Sequence, residues 1–342
     1  MTEKQWELLL NTIDGKTDKP LPIGFIIDSP WLPGWAGISI MDYFTSDSLW
    51  LDANIKAIKT FPQAIFLPGF WSEFGMCTEP SAFGSKCTWQ TNDLPFASPI
   101  INSFEQADSI VKPDPSKDGL LPFTLNRLKL TQRQIEREGH TIRFAVSRGP
   151  LNIASFLAGT TEFLMATHVN PDEVGRLLDI ITDFIIDWIG LQIETFPTIE
   201  GIFILDDIVG FLGEQDFVKF AKPRLQKIFN CRDAKVRFLH NDAPGLVCAP
   251  HLAEIGINLF NFSSDHSLAQ MKKLTGNKVT LLGNIPPRDV LAAGSPADVA
   301  QAAETMLTGL DDRSHIIASC GGGMPPGVST ENIKAFITAV EK

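Results

Sequence analysis

Two short segments of the 342-residue chain carry residue types that bind metal ions, His240-Asn241-Asp242 and Cys320-Gly321-Gly322-Gly323. Histidine, aspartate and cysteine side chains all bind zinc, and three protein ligands with one open position describe a catalytic zinc site. Each segment follows a short apolar run, KVRFLH or HIIAS, that is typical of a β-strand. These residues indicate a Zn²⁺ site at His240, Asp242 and Cys320. Spacing alone also permits a structural histidine–aspartate hydrogen bond beside an inert buried thiol.

Further polar side chains come directly after predicted strands: Asp28, Glu73, Arg148, Asp206, Asp207, Asp265, His266 and Asn284. Adjacent residues at a strand end point in opposite directions, so at most one of Asp206 and Asp207 is expected to face the site. Its expected roles are metal ligand, general acid or base, or a partner that orients His240. His266 lies just past a strand and is a further candidate.

The order of elements predicts a (β/α)8 barrel of the α/β class. Apolar runs alternate with longer helical patterns, as in parallel βαβ units, and most runs are continuously apolar, as expected of strands buried on both faces. The runs end at Asp28, Leu67, Ser147, Leu205, His240, Phe262, Gly283 and Ser319. No G-x-G-x-x-G fingerprint follows the first run, which argues against an open nucleotide-binding sheet. We predict one barrel domain over residues 1–342, with its reactive groups at the carboxyl ends of the strands.

One connection, at about residues 68–99, is long and rich in Gly and Pro. Its large apolar side chains include Trp71, Phe74, Met76, Phe83 and Trp89. Connections of this length without secondary structure are uncommon and often cover active sites. We interpret the segment as a lid-like loop. The alternative is that its aromatic side chains simply seal one end of the barrel.

Composition limits the partners that the chain can have. It carries 29 Lys and Arg against 40 Asp and Glu, a formal net charge of −11. A phosphate-backbone binder requires a basic face and a binder of anionic membranes a polybasic run, so neither nucleic acid nor a membrane is expected as a partner. The N-terminus shows no signal-peptide pattern, and five cysteines, an odd number, indicate reduced thiols. We therefore expect a cytoplasmic protein.

The segments HND, GNIPPRDVLAAGSP and SCGGGMPPGVSTENIKAF resemble the uroporphyrinogen decarboxylase superfamily, and more closely its branch of cobamide-dependent methyltransferases. The resemblance covers most of the chain and implies a (β/α)8 barrel. In the thiol-methylating members, zinc is held by a His-x-Cys pair and a later Cys, and these ligands fall by position on His240, Asp242 and Cys320. Asp242 departs from that pattern. A hard carboxylate in place of a soft thiolate favours a harder metal and an oxygen ligand.

The segments DSPWLPGWAG and PGFWSEFGMCTEPSAFG are similar to methyltransferases that demethylate methoxylated aromatic compounds. This resemblance implies methyl transfer from a methoxyarene to the Co(I) of a corrinoid, with Zn²⁺ as the Lewis acid. Because the chain has no cobalamin-binding D-x-H-x-x-G motif, the corrinoid is expected on a partner protein. Asp207 and Glu73 are the expected catalytic residues, which complete the metal site or protonate the leaving oxygen. The expected substrate-binding residues, several of them aromatic side chains that can stack on a ring, are Asp28, Trp31, Trp71, Phe74, Met76 and Asn284.

Three alternatives are compatible with the same residues. The same enzyme acting in the reverse direction would transfer a methyl group from methylcobamide to a thiol or a folate. A uroporphyrinogen decarboxylase is less expected, because the stretch PIGFIIDSPWLPGWAG has no arginine for the propionates of a tetrapyrrole. Asp28 nevertheless lies near the place of the decarboxylase aspartate. The third alternative is a non-catalytic cobamide or small-molecule binder with a vestigial site.

Overall fold

The computed structural model describes residues 1–16 and 20–342. Within these ranges, eight parallel strands form one curled sheet, with helices in the connections. The strands are β1 (Ile23–Ile26), β2 (Ala64–Leu67), β3 (Phe144–Arg148), β4 (Gly201–Leu205), β5 (Val236–Asn241), β6 (Leu259–Phe262), β7 (Thr280–Ile285) and β8 (Ile316–Cys320). The predicted strands and the α/β barrel class are confirmed.

Helices occupy most of the connections. The α-helices are α1 (Glu3–Ile13), α2 (Leu32–Ala36), α3 (Ile40–Thr45), α4 (Asp47–Thr60), α5 (Thr78–Ala82), α6 (Leu121–Arg137), α7 (Pro150–Ala158), α8 (Thr160–Val169), α9 (Pro171–Thr195), α10 (Glu214–Asp216), α11 (Lys222–Phe229), α12 (Leu252–Ile255), α13 (Leu268–Leu274), α14 (Pro296–Thr308) and α15 (Thr330–Glu341). Tighter or wider helical turns span Phe104–Ser109, Asp207–Phe211, Phe217–Ala221, Ala249–His251 and Pro287–Ala292. Of the helices in the described ranges, none combines the length and the apolar character needed to cross a membrane.

The strands are buried on both faces, which is why their sequences are continuously apolar. On one face, side chains such as Phe203 and Phe238 fill the barrel interior, with ring centroids 4.3 Å apart. On the other face, Ile204 and Leu239 pack in the layer between the sheet and the helices. Because side chains alternate along a strand, His240 points to the same interior as Phe238, at the carboxyl end of β5.

The barrel has a seam between β2 and β3. The strand order is β2-β1-β8-β7-β6-β5-β4-β3, and in the part of the chain that the structure describes no ladder joins β2 to β3. Side chains bond to the free edge of β3 instead. Gln192 on α9 accepts a hydrogen bond from the Val146 N–H and donates one to the Val146 carbonyl, both at 3.0 Å. Glu79 on α5 accepts one from the Arg148 N–H at 3.0 Å, so the seam leaves these buried backbone groups paired.

Gln192→Leu is expected to lower the free energy of unfolding by about 2–6 kcal/mol, because two buried backbone groups of Val146 lose their partners at about 1–3 kcal/mol each. Urea unfolding followed by tryptophan fluorescence measures the loss. Gln132→Leu is the matched control, since the hydrogen bond from Gln132 to Glu136 is exposed, and it should cost less than about 0.5 kcal/mol. Equal losses in the two variants would show that Gln192 does not support the edge of β3.

The long connection after β2 contains regular secondary structure, although its Gly- and Pro-rich sequence predicts an irregular loop. Residues 68–99 contain α5 and a hairpin in which Cys87–Thr88 pairs antiparallel with Phe96–Ala97. Phe74 packs against Phe44 and Trp89, with ring centroids 5.8 and 6.1 Å away. Local Gly and Pro content could not indicate this packing, because Phe44 comes from α3. The role of the segment as a lid stays a prediction.

Candidate functional site

Two aspartates and a histidine meet at the carboxyl end of the barrel. Ligand-capable atoms of Asp207, His240 and Asp242 all lie within 4.8 Å of one another, and we call these three residues the donor group. Asp207 follows β4, whereas His240 and Asp242 lie at the end of the neighbouring β5. His240 Nε2 is 3.7 Å from Asp207 Oδ1, close to the separation of about 3.3 Å between two ligands of a tetrahedral zinc ion. The group has the donors and the spacing for one divalent cation.

Asn261 on β6 determines which nitrogen of His240 is free. Its Nδ2 donates to the backbone carbonyls of Leu282 and Cys320, at 2.8 and 3.3 Å. Its Oδ1 therefore faces His240 Nδ1 at 2.7 Å and accepts the hydrogen of that nitrogen. Nε2 is the nitrogen that faces Asp207, and in a neutral imidazole with this orientation it would carry the lone pair that binds a metal. Sequence reasoning missed Asn261, although alternation along β6 places it on the interior face.

The adjacent aspartates after β4 take separate roles. Asp206 is fully buried and accepts hydrogen bonds from the N–H groups of Leu151 and Asn152 in the first turn of α7, at 2.9 and 3.1 Å. Asp207 turns to the barrel mouth, where Oδ1 accepts the Asp242 N–H at 3.0 Å and Oδ2 accepts the Asn152 side-chain amide at 3.4 Å. Asp206 thus anchors α7, and Asp207 is held beside His240.

Asp242 lies on the exposed rim, beside the carboxyl group of Asp207. Partial burial raises the pKa of Asp242, the Asp207 carboxylate raises it further, and His240 and Arg288 act in the opposite direction. Two carboxyl groups in such contact repel each other unless a proton or a cation lies between them. The donor group is therefore suited to a divalent cation on electrostatic grounds as well as by its spacing.

The structure does not bring Cys320 into the donor group. Alternation along β8 turns Cys320 toward the helices, where its thiol is fully buried and donates to the Gly322 carbonyl at 3.6 Å. Burial raises the pKa of this thiol to about 12, whereas a zinc ligand must be a thiolate. Gly322 is the residue of this turn that faces Asp242, since a Cβ built on it would lie 3.0 Å from the Asp242 Cβ. The third residue of the donor group is therefore Asp207, whereas the sequence predicts Cys320 as the third ligand.

Two further carboxyl groups, those of Asp28 and Glu73, add to the acidity of the mouth. Glu73 is 1% exposed, and its Oε2 accepts the Gly75 N–H. Glu73 Oε1 and Asp28 Oδ1 are both buried and have no hydrogen-bond partner among the described residues. Burial raises the pKa of Asp28 well above its usual range, Glu73 and Asp242 raise it further, and Arg148 lowers it. The pKa of Asp28 is therefore set in part by Glu73 and by Asp242 of the donor group.

Comparison with known protein families identifies the family of this barrel. The family described as Uroporphyrinogen decarboxylase (URO-D) matches residues 9–342. The chain is a member of the URO-D family. This membership confirms the superfamily that the C-terminal motifs of the sequence resemble.

Relatives of this URO-D family member include both decarboxylases and a methyltransferase. The uroporphyrinogen decarboxylase of Actinobacillus succinogenes is 25% identical over 277 residues, which cover 78% of this chain and 76% of the relative. The methylated-thiol–coenzyme M methyltransferase of Methanosarcina mazei is 22% identical over 278 residues, covering 79% and 71%. A solved methyltransferase from Methanosarcina mazei superposes with a TM-score of 0.81 at 21% identity, covering 98% of this chain and 97% of the other. That superposition confirms the fold.

In this URO-D family barrel the two candidate tryptophans differ in position. Trp31 is buried, and its indole N–H donates to the Val328 carbonyl at 3.0 Å, so core contacts occupy this side chain. Trp71 packs edge-on against Phe203, with ring centroids 6.1 Å apart. Phe203 in turn lies 6.4 Å from the His240 ring. Phe203 thus contacts both Trp71 and His240, whereas core contacts hold Trp31.

The remaining candidate site residues also differ in their burial and their contacts. Phe74 is buried in its aromatic cluster, whereas Met76 is 40% exposed. Asn284 on β7 donates to the His266 carbonyl. His266 Nε2 accepts the Gly245 N–H at 3.2 Å, which leaves His266 outside the donor group. Of the residues compared here, Trp71, Met76 and Asn284 remain candidates for substrate contact.

Proposed function

We propose that the chain is a zinc-dependent methyltransferase that moves a methyl group from a methoxylated aromatic compound to the Co(I) of a corrinoid carried by a partner protein. The observation that carries the proposal is the donor group, in which His240 Nε2 is free to coordinate between two carboxylates. One imidazole and two carboxylates form a harder donor set than thiolates do. A harder, more Lewis-acidic ion suits an ether oxygen. The methyltransferase relative supports a methyl-transfer reaction.

The proposed reaction is a displacement at the methyl carbon. A corrinoid, when bound with its partner protein, would supply the nucleophile and its electron pair for this displacement, and the ether oxygen would keep the electron pair of the broken O–C bond. When bound, Zn²⁺ would polarise the ether oxygen and stabilise the departing phenolate. Asp207, His240 and Asp242 would hold the ion, and Glu73 would give a proton to the departing oxygen. Trp71 would border the ring and exclude water.

The charge of the mouth argues against decarboxylation of a tetrapyrrole. Propionate groups need free cations, and the segment 22–37 at the first strand contains no arginine. Arg148, whose charge acts on Asp28, is paired with Glu79 at 3.2 Å. The acidic side chains of Asp28, Glu73 and Asp242 that surround this position offer a multiply anionic substrate no positive charge.

Transfer to or from a thiol is the second candidate function. It is favoured by the relative whose name describes a methylated-thiol–coenzyme M methyltransferase. It is disfavoured by the oxygen-rich donor group, because thiols bind best to the softer ions of thiolate-rich sites.

The test incubates zinc-loaded protein with chemically reduced cob(I)alamin and separate methyl donors: methoxyarenes, methanol, methylamines and methyl thioethers. Methylcobalamin formation is followed by absorbance, with a chelator-treated sample as the control. We expect turnover of methoxyarenes that the chelator abolishes. Turnover of the thioethers alone would assign the second candidate. A protein that fails to retain zinc after loading and transfers no methyl group from any donor would indicate a binder.

A further inference from the structure

The side-chain amide of Asn152 links the first turn of α7 to the chain that follows β4. Asn152 is 6% exposed, and its Oδ1 accepts the Ile208 N–H at 3.2 Å. Because a backbone N–H can only donate, this bond fixes the orientation of the amide and turns Nδ2 toward two oxygens. Nδ2 donates to the Leu205 carbonyl at 3.3 Å and to Asp207 Oδ2 at 3.4 Å. One buried side chain therefore holds the turn from Leu205 to Ile208 at three points.

Asp206 in turn holds Asn152 in place. Its carboxylate accepts the N–H of Leu151 at 2.9 Å and that of Asn152 at 3.1 Å. The contact is close, since a Cβ built on Gly149, the residue before α7, would lie 2.2 Å from Asp206 Oδ2. Asp206 thus fixes the backbone of the first turn of α7, and the Asn152 amide connects that fixed turn to Asp207.

The Asn152 amide bears on the donor group through the carboxylate of Asp207. Oδ2 of Asp207 accepts the amide, whereas Oδ1 accepts the Asp242 N–H at 3.0 Å. Oδ1 also lies 3.7 Å from His240 Nε2. A carboxylate with a donor on each oxygen is held in one orientation, and each oxygen keeps a lone pair for a cation. Loss of a group that orients a metal ligand in this way typically weakens metal binding by about 10–100-fold.

We infer that Asn152 is a positioning residue of the donor group: its amide holds Asp207 with Oδ1 toward His240 and so strengthens the binding of a divalent cation. The inference rests on the metal site of the proposed function and does not depend on the methyl donor. A purely structural role for Asn152 would affect the stability of the turn after β4 and leave the metal affinity unchanged. Measuring both quantities separates the two roles.

Asn152→Leu removes the amide and keeps a side chain of similar size. Asn332→Leu is the matched control. Asn332 is 3% exposed, lies in the first turn of α15, and donates to the carbonyls of Leu291 and Gly294 at 2.8 and 2.9 Å. Both variants should lower the urea midpoint of the metal-free chain, because both leave buried backbone carbonyls unpaired. The Kd for zinc, measured by competition with a chromophoric chelator, should rise about 10–100-fold in Asn152→Leu alone.

Asn152→Ser provides a milder variant if the leucine variant fails to fold. Serine keeps a polar side chain in the first turn of α7, but it is too short for Asp207, since the longer amide reaches Oδ2 only at 3.4 Å. The Kd for zinc should rise in this variant too. Titration with Co²⁺ adds a spectroscopic readout, because its visible absorption depends on the arrangement of its ligands. Both Asn152 variants should change the spectrum of bound Co²⁺, and Asn332→Leu should reproduce that of the unmodified chain.

The outcomes distinguish this inference from the function on which it rests. If the chain binds zinc and transfers methyl groups, an equal Kd for zinc in the Asn152 variants and Asn332→Leu overturns the positioning role and leaves the methyltransferase standing. Weaker zinc binding in the Asn152 variants of a chain that transfers no methyl group from any donor supports the positioning role and overturns the proposed function. An unmodified chain that binds no zinc overturns both.

Discussion

His240→Ala is expected to empty the metal site and to reduce methyl transfer about 1000-fold, because Lewis-acid stabilisation of the leaving oxygen is worth several kcal/mol. The unmodified protein should hold about one zinc ion per chain after gel filtration. Elemental analysis by mass spectrometry measures the zinc, and methylcobalamin formation measures the rate. His240 is buried and its loss leaves Asn261 Oδ1 without a partner, so the melting temperature of the metal-free variant should fall by a few degrees while the fold is retained.

Cys320→Ala is the matched control for that experiment. Its thiol packs on the helix side of β8 and donates to the Gly322 carbonyl, so zinc content and rate should stay near those of the unmodified chain. Asp207→Asn should behave like His240→Ala, because Asp207 Oδ1 is the oxygen beside His240 Nε2. Loss of zinc from a well-folded Cys320→Ala protein would contradict the donor group and support the ligand set suggested by sequence position.

Asp242→Cys should keep zinc and lower the rate of transfer from an aryl methyl ether by about tenfold or more. A thiolate binds zinc well but softens it, so less positive charge acts on the oxygen that becomes negative in the transition state. The decrease should appear in kcat rather than in KM, because the lost stabilisation acts on charge that develops during the reaction. An unchanged kcat in the zinc-loaded variant would show that the carboxylate does not tune the metal.

Asp242→Asn completes this comparison. An asparagine keeps the shape and hydrogen-bonding capacity of the side chain but is a poor charged ligand. We expect it to lose most of the zinc, which elemental analysis would detect. Retention of both zinc and activity would mean that Asp242 only orients its neighbours, and the ion would then depend on Asp207 and His240.

Several features could be predicted from the sequence because they depend on local composition. A strand buried on both faces must be continuously apolar, so runs such as GIFIL and HIIAS could be recognised without knowing their partners. Parallel strands bring their carboxyl ends to one edge, so polar residues after them had to share a rim. That reasoning was enough to bring His240 and Asp242 together, and Asp207 with them as a candidate.

The membership of the donor group, by contrast, was decided by side-chain direction. Cys320 ends β8 and Asp207 follows β4. Alternation along β8 turns the cysteine toward the helices, whereas the chain after β4 turns Asp207 to the mouth. The phase of a strand is set by which face packs on which helix, through contacts distant in sequence. Asn261 likewise acts only because β6 lies beside β5, where its amide faces His240.

The seam depends on tertiary structure in the same way. In the sequence, Gln192 is one polar residue of a long amphipathic helix. No neighbouring residue indicates that its side chain pairs with a strand edge. It pairs with Val146 because α9 packs beside the unpaired edge of β3. Apolar pattern and residue type therefore determined the elements and the kind of chemistry. Which side chains meet was decided by the packing of distant segments, because hydrogen bonds and coordination depend on directions that local sequence does not specify.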